Sequence, residues 1–428
     1  MNWSVKISRQ EVKVQKRLSG SSPGALTPLR AISLWIFLIT LNVAIASSEE
    51  PLDGKNGRPL ALDQFMPKSQ LMVPKHHPQR AKFPAVDIHV HCRYKLHQTP
   101  EALDEFVRLM DHQNIAVCVS LDGGLGEQFA EHKKFLWTKY RERFVLFANI
   151  DWQGTGQKED LASWDCHRPD FARRMARSLA EVKGQGASGL KVFKMLGLKY
   201  RNPDGSLIAV DDPRWDPIWD ACGKLGLPVL IHTADPVAFF EPLDRFNERW
   251  EELQRHPEWS YAGQEYPSHK ELLQQFLNVV ERHPETIFIG AHMANIPENL
   301  GQLGKWVDKF PNLHIDISAR LAEIGRQPFT ARDFFLKYAD RILFGTDGPR
   351  PTSRLNPHWR LLETRDEYFP YAENQYPPQG LWNIYGLDLP DDVLKKVYAD
   401  NAAKLIPGVQ ERLQVYDSFK KDAPVGGR

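Results

Sequence analysis

The chain has 428 residues, 42% hydrophobic and 25% charged, with a formal net charge of +1. Such a balance leaves no basic excess to neutralise phosphates, which argues against a nucleic-acid partner. The length suits two domains or one large α/β barrel with insertions. Twelve Trp and 31 Pro point to long ordered loops over a scaffold. The four cysteines, Cys92, Cys118, Cys166 and Cys222, show no C-x-x-C spacing. Buried free thiols are therefore expected, and no disulfide framework.

Residues 1–30 carry Lys6, Arg9, Lys13, Lys16, Arg17 and Arg30 against a single acid, Glu11. The apolar run AISLWIFLITLNVAIA follows and closes on Ala44-Ile45-Ala46. A basic leader, a short apolar core and a small-residue end describe a secretory signal with a long basic region. The run falls short of the roughly 20 residues of a stable membrane span. Cleavage after Ala46 and an exported, periplasmic or extracellular mature protein are expected; a retained leader would anchor it to the membrane. Homo-oligomerisation is left open.

Residues 47–82 are polar and proline-studded and read as a linker that wraps the surface. The first strand is expected at 83–92, FPAVDIHVHC. Side chains alternate along a strand, so Asp87, His89 and His91 share one side and Ile88 and Val90 the other. A helix at 100–112 has Ala102, Phe106, Leu109 and Met110 spaced for one face. Strands follow at 115–120, 144–150, 189–194, 227–232, 286–292, 313–317 and 341–347. Helices alternate with them at 126–140, 169–183, 213–225, 269–282, 297–310 and 331–338. The segment 233–268 between the fifth strand and its helix is far longer than an ordinary connector and is expected to cover an active site. Residues 351–389 read as loop-rich, 391–405 as a closing helix and 411–428 as a polar tail. Eight apolar strands alternating with helices predict parallel βα units closed into a (β/α)8 TIM barrel over 83–410. The runner-up, an open doubly wound sheet, lacks support because no G-x-G-x-x-G or G-x-x-x-x-G-K-[ST] follows any strand.

Polar residues close these apolar runs at their C-terminal ends: His89 and His91 on the first, His232 on the fifth, His292 on the sixth and Asp347 on the eighth. In a barrel that gathers them around one mouth, where this fold builds active sites. One histidine at a strand end is commonly a hydrogen-bonded core residue; four with an aspartate are hard to explain as packing. Imidazole and carboxylate suit zinc, iron or manganese.

The motifs D-I-H-V-H, P-V-L-I-H, I-G-A-H-M and L-F-G-T-D, with the closing D-N-A-A-K-L, resemble the amidohydrolase superfamily. More narrowly they resemble its amidohydrolase-2 branch, which also contains decarboxylases of the aminocarboxymuconate-semialdehyde type. The resemblance implies that His89, His91 and His232 ligate a divalent ion, zinc first with manganese or iron as alternatives, and that Asp347 completes the shell. It implies that His292 stands beside the metal, orienting or deprotonating the attacking water. Lys191 occupies the place of a lysine that, in binuclear members, is carboxylated and bridges two metals; one ion is favoured here, with a two-metal site left open. A contact with a substrate carboxylate or an ion pair is the other reading of Lys191, while Lys194, of opposite parity, is expected at the strand–helix turn.

Asp87 lies one layer deeper than the two histidines and is expected to hydrogen-bond behind the site. Arg320 is open to two readings, a clamp for a substrate carboxylate or a partner of Asp316, and Arg350 to the same clamp or a neighbouring acid. Glu265 and Tyr266 are expected at the surface of the long segment. His76, His77, His97, His132, His256 and His358 read as solvated or structural. The leading function is a metal-dependent hydrolase cleaving an amide, ester or lactone of a small molecule with metal-activated water. A non-oxidative, metal-dependent decarboxylase uses the same residues. A non-catalytic exported binding protein is disfavoured because all five polar positions are intact.

Overall fold

The computed structural model describes residues 53–61, 64–97, 99–263, 265–372 and 382–422. The expected leader through Ala46 lies outside them. No helix among the described residues is long and apolar enough to cross a membrane. The chain divides into two units, residues 1–70 and 71–428. In the first, Arg58 pairs with Asp53 at 2.6 Å across the short turn Lys55–Gly57.

The second unit carries eight parallel strands in sequential order. They are β1 (Ala85–Val90), β2 (Ile115–Ser120), β3 (Phe144–Asn149), β4 (Ala187–Val192), β5 (Val229–Ile231), β6 (Phe288–Gly290), β7 (Leu313–Asp316) and β8 (Ile342–Leu343). Apart from Asn149, every strand residue is buried, as near-continuous Val, Ile and Leu runs dictate when both faces of a parallel sheet are covered. The ring closes beyond β8, where the His91 amide donates to the Gly348 carbonyl at 2.8 Å and the Gly348 amide to the His89 carbonyl at 3.0 Å. This is a (β/α)8 barrel.

Local chemistry sets the surrounding helices. α1 (Pro100–Gln113) starts on Thr99, whose side chain accepts the Ala102 amide, with proline in the first turn where no N–H is missed. α2 (Gly126–Tyr140) and α3 (Phe171–Gln185) follow, then α4 (Asp216–Leu225). α5 (His269–Arg282) opens on a reciprocal capping box between Ser268 and Glu271. α6 (Leu300–Lys309) and α7 (Pro328–Lys337) complete the run before β8.

Three segments differ from expectation. The stretch read as loop after β8 contains α8 (Thr352–Glu363), whose internal Pro357 signals a break; burial of Leu355, Trp359, Leu361 and Leu362 holds the helix regardless. After the closing helix α9 (Asp391–Lys395, continuing through Lys396–Asp400 into Asn401–Leu405), residues 411–422 of the expected polar tail lie in α10 (Val409–Asp422), and the rest of that tail lies outside the described residues. This helix is held down by buried Val409 and Tyr416 and by Arg412, which donates to the Arg141 and Phe144 carbonyls. Residues 71–82, expected in the linker, belong to the barrel unit: the His76 amide donates to Asp366 at 2.7 Å, and the Ala81 amide to the Gln113 carbonyl. All four cysteines are free and buried, as expected.

A candidate metal centre at the barrel mouth

The polar strand-end residues do converge on one rim. His91 Nε2 lies 3.4 Å from Asp347 Oδ1. The His89 ring centroid is 5.3 Å from that of His91 and 4.8 Å from that of His292, which is 4.4 Å from that of His232. One donor atom each from His89, His91 and Asp347 fall within 4.8 Å of one another, as do donors from His89, His292 and Asp316.

Each imidazole is braced on one nitrogen. His89 Nδ1 meets Asp316 Oδ2 at 2.8 Å, His91 Nδ1 meets Asp122 Oδ1 at 2.7 Å, and His292 Nδ1 meets the Ser318 carbonyl at 2.8 Å. Carboxylate and carbonyl oxygens only accept, so these Nδ1 atoms carry a hydrogen, and in a neutral ring Nε2 then holds the lone pair. His232 is reversed: Nε2 donates to the Ala234 carbonyl at 3.0 Å, with Asp235 Oδ1 at 3.4 Å, which leaves the lone pair on Nδ1. Burial pushes His89 and His292 well below the ordinary histidine value and His232 down to about 4. All three are neutral at pH 7, the form that ligates metal.

Of the five residues only His89 lies within its strand: His91 and His232 directly follow the ends of theirs, and His292 and Asp347 lie farther past. Sequence placed His292 within the sixth strand and Asp347 within the eighth; the strands end at Gly290 and Leu343. His292, Met293, Ala294 and Asn295 form a left-handed turn with φ of 58, 59, 50 and 60°. For non-glycine residues this costs roughly 1–2 kcal/mol each. The turn is pinned where the His292 amide donates to Asp316 Oδ1 at 2.9 Å. Asp347 also has a positive φ, 56°. Burial opposes its charge, yet His89, Lys95 and Arg350 hold its carboxyl down at about 2.

Arg350 takes up its pairing role: Nη2 donates to Asp347 Oδ2 at 3.0 Å. Arg320 does not pair with Asp316; its Nη1 donates to the Ala319 carbonyl and its Nε has no partner, though the residue is only 6% exposed. Asp316 instead takes His89 Nδ1, the His292 and Ser318 amides and the Ser318 hydroxyl. Lys191 is 1% exposed and its Nζ has no hydrogen-bond partner; burial lowers its pKa to about 8 against the pull of Asp316, Asp347 and Asp122. Asp87 lies behind the site as expected, bonded to the Thr346 amide and hydroxyl and to the His89 amide, with burial raising its pKa to about 7.

The long segment 233–268 reaches this rim at Asp235, which pairs with Lys194 and His232. It carries the helical turns Val237–Phe240, Trp250–Arg255 and Pro257–Trp259, and its Ala234, Phe239, Leu253 and Tyr261 form a small apolar cluster with Leu198 and Leu272, against which Tyr266 packs; Glu265 is exposed. Sequence reasoning missed Asp122, Asp235 and Ser318. Asp122 offered the same signal as the histidines, a polar residue closing an apolar strand.

The donor set fits a divalent cation: imidazoles with braced tautomers beside an ionised carboxylate, next to a buried amine with no hydrogen-bond partner among the described residues. Fold and rim together define a barrel protein with a histidine–aspartate centre at its C-terminal mouth. The Amidohydrolase family pattern matches residues 86–408, three quarters of the chain, and the chain belongs to that family, in its amidohydrolase-2 branch. Members of this branch are enzymes, among them hydrolases and decarboxylases.

Among solved structures, 2,6-dihydroxybenzoate decarboxylase from Rhizobium is 19% identical, with 76% of this chain and 98% of that chain covered and a TM-score of 0.45. A dihydroxybenzoic acid decarboxylase from a Polaromonas species, solved with manganese and 2-nitroresorcinol, is 18% identical, covering 76% and 96% at a TM-score of 0.44. A Pseudomonas putida protein named as a 2-pyrone-4,6-dicarboxylic acid hydrolase is 10% identical, covering 76% and 97% at 0.41. No curated protein sequence matches the chain.

Proposed function

We propose that the protein is a metal-dependent hydrolase of a small, carboxylate-bearing amide, ester or lactone. The observation that carries this reading is the set of four imidazoles, each braced on one nitrogen, around the ionised Asp347. His89, His91 and His232 would hold one divalent ion, zinc by preference, with Asp347 completing the shell. A divalent ion bound there supplies Lewis acidity and brings the pKa of its water to about 7. His292, with hydrogen on Nδ1 and a lone pair on Nε2, would orient the attacking water or take its proton. Asp347 stays anionic at neutral pH and would accept a hydrogen bond from the attacking water. Water adds to the carbonyl carbon, the C–N or C–O bond breaks, and the proton passes to the leaving nitrogen or oxygen.

Lys191 and Arg320 are buried cations that form no ion pair among the described residues, which supports a carboxylated substrate because a buried charge without a close counter-charge is costly. The same pair favours a second reading, non-oxidative decarboxylation, in which the gripped carboxylate leaves as carbon dioxide. The basic leader and the apolar run to Ala46 support an exported enzyme. Metal analysis by mass spectrometry, with an Asp347→Asn variant beside the native chain, tests the centre. About one equivalent of metal per chain, reduced in the variant, is expected. Two equivalents would bring Lys191 and His292 into the shell. A chain free of divalent metal, with activity unaffected by Asp347→Asn, would overturn the proposal. Product analysis on lactone and carboxylated aromatic panels then separates water addition from carbon dioxide release.

A further inference from the structure

We infer that Arg249 is a positioning residue: it holds the Glu323 carboxylate so that Arg320, three residues before, stays free to grip the carboxylate of the substrate. This rests on the carboxylate reading above. Arg320 is the N-cap of the short helix Leu321–Arg326, and Glu323 lies in its first turn. Side chains three apart along a helix are neighbours, and opposite charges there attract. Here both are buried, 6% and 2% exposed, where pairing would be favoured most, yet no ion pair joins them. Glu323 Oε1 is taken by Arg249 Nη2, while Glu323 Oε2 and Arg320 Nε are each left without a partner.

Arg249 comes from the excursion after β5 and is itself 2% exposed. Its Nη1 donates to Glu252 at 3.0 Å, and its guanidinium lies 4.9 Å from the Trp382 ring centroid. Arg326, at the end of the same short helix, lies 4.1 Å from that ring and pairs with Glu248 at 3.0 Å. The excursion is thus fastened to the helix at two points, and one of them engages the acid that would otherwise neutralise Arg320. Another acid close to Arg320, Glu298, spends one oxygen on the Val237 amide at 3.2 Å, and burial raises the pKa of its carboxyl. Without Arg249, Glu323 would turn to Arg320 and close the cationic end of the mouth.

Calorimetric titration of the metal-loaded chain with benzoate as the carboxylate probe tests this. Arg249→Met is expected to weaken benzoate binding by roughly 10- to 100-fold, the scale of losing a buried charge contact. Arg249→Met combined with Glu323→Gln is expected to return to within about threefold of the native chain, because nothing then competes for Arg320. A residue needed only for packing would not be rescued by removing its partner's charge. Glu323→Gln alone, the variant to use if Arg249→Met does not fold, is expected to stay within about threefold of native, since Arg249 already engages that charge.

Unchanged binding in Arg249→Met, a double variant as weak as the single, or Glu323→Gln binding more than about tenfold tighter would overturn the inference. Arg320→Met separates the two levels. If it binds benzoate as the native chain does, the carboxylate reading fails and this inference with it. If it binds weakly while Arg249→Met does not, only the role of Arg249 falls. Metal content measured on every variant keeps both results distinct from loss of the centre.

Discussion

Asp316→Asn exchanges one oxygen for an NH2 group and keeps the shape of the side chain. Asp316 Oδ1 accepts the His292 amide at 2.9 Å, the Ser318 amide at 3.0 Å and the Ser318 hydroxyl at 2.6 Å. Three donors fix the remaining amide oxygen of Asn at that position, so the NH2 must face His89 Nδ1, where Oδ2 stood at 2.8 Å. A donor there forces His89 to accept on Nδ1 and carry its hydrogen on Nε2, the atom needed for a metal. Loss of such a bracing carboxylate typically lowers metal affinity about 10- to 100-fold, or about 1.4–2.8 kcal/mol. Competition between the metal-free protein and a chelator for zinc and for manganese measures it, with circular dichroism to confirm the fold. Zinc affinity within about threefold of native would refute the argument that Asp316 sets the His89 tautomer.

Lys191→Met should stabilise the metal-free protein at pH 7. The folded pKa of Lys191, about 8, is depressed from 10.5, so stability is lost as pH falls from the higher value through the lower. The burden at neutral pH is about 3 kcal/mol; urea unfolding at pH 7 and pH 10 should show the variant's advantage shrinking at the higher pH, and a variant less stable at pH 7 would contradict this. His132, buried with Nε2 2.8 Å from the Ser120 hydroxyl, is pushed down to about 4 by burial. Its stabilising contribution is complete above the unfolded value of about 6.5 and is lost as pH falls toward 4, so His132→Gln should reduce the slope of stability against pH near 5 by up to about 1.4 kcal/mol per unit; an unchanged slope in chemical denaturation counts against it. Gly189→Ala would put a Cβ 2.3 Å from Phe147 Cζ. Overpacking of this kind costs about 1–3 kcal/mol, read as a lower Tm, and a Tm equal to native would show that Phe147 can move aside.

Much of this barrel is legible in the chain. The apolar runs around Val117, Val145 and Ile289 read as strands because both faces of a parallel sheet are covered. The alternation with amphipathic helices then leaves few topologies. His89, His91, His232, His292 and Asp347 stood out because a polar residue closing a buried strand needs a reason. The bracing residues did not stand out in the same way. Asp316 invited pairing with Arg320, four residues away, whereas its partners are His89 and His292, which lie 227 and 24 residues away in sequence. Helix α8 was hidden because Pro357 is a breaker in isolation, and only burial of Trp359 and its neighbours outweighs it.

Periodicity and residue type are properties of short windows, so the sequence by itself determined the eight βα units and the end of each strand at which chemistry gathers. Tautomers, orphaned charges and the choice between partners depend on which distant atoms lie within about 3 Å of one another. Those were decided only by the closed barrel, which set Asp316 against His89, left Lys191 and Arg320 without an ion pair among the described residues, and gave Glu323 to Arg249.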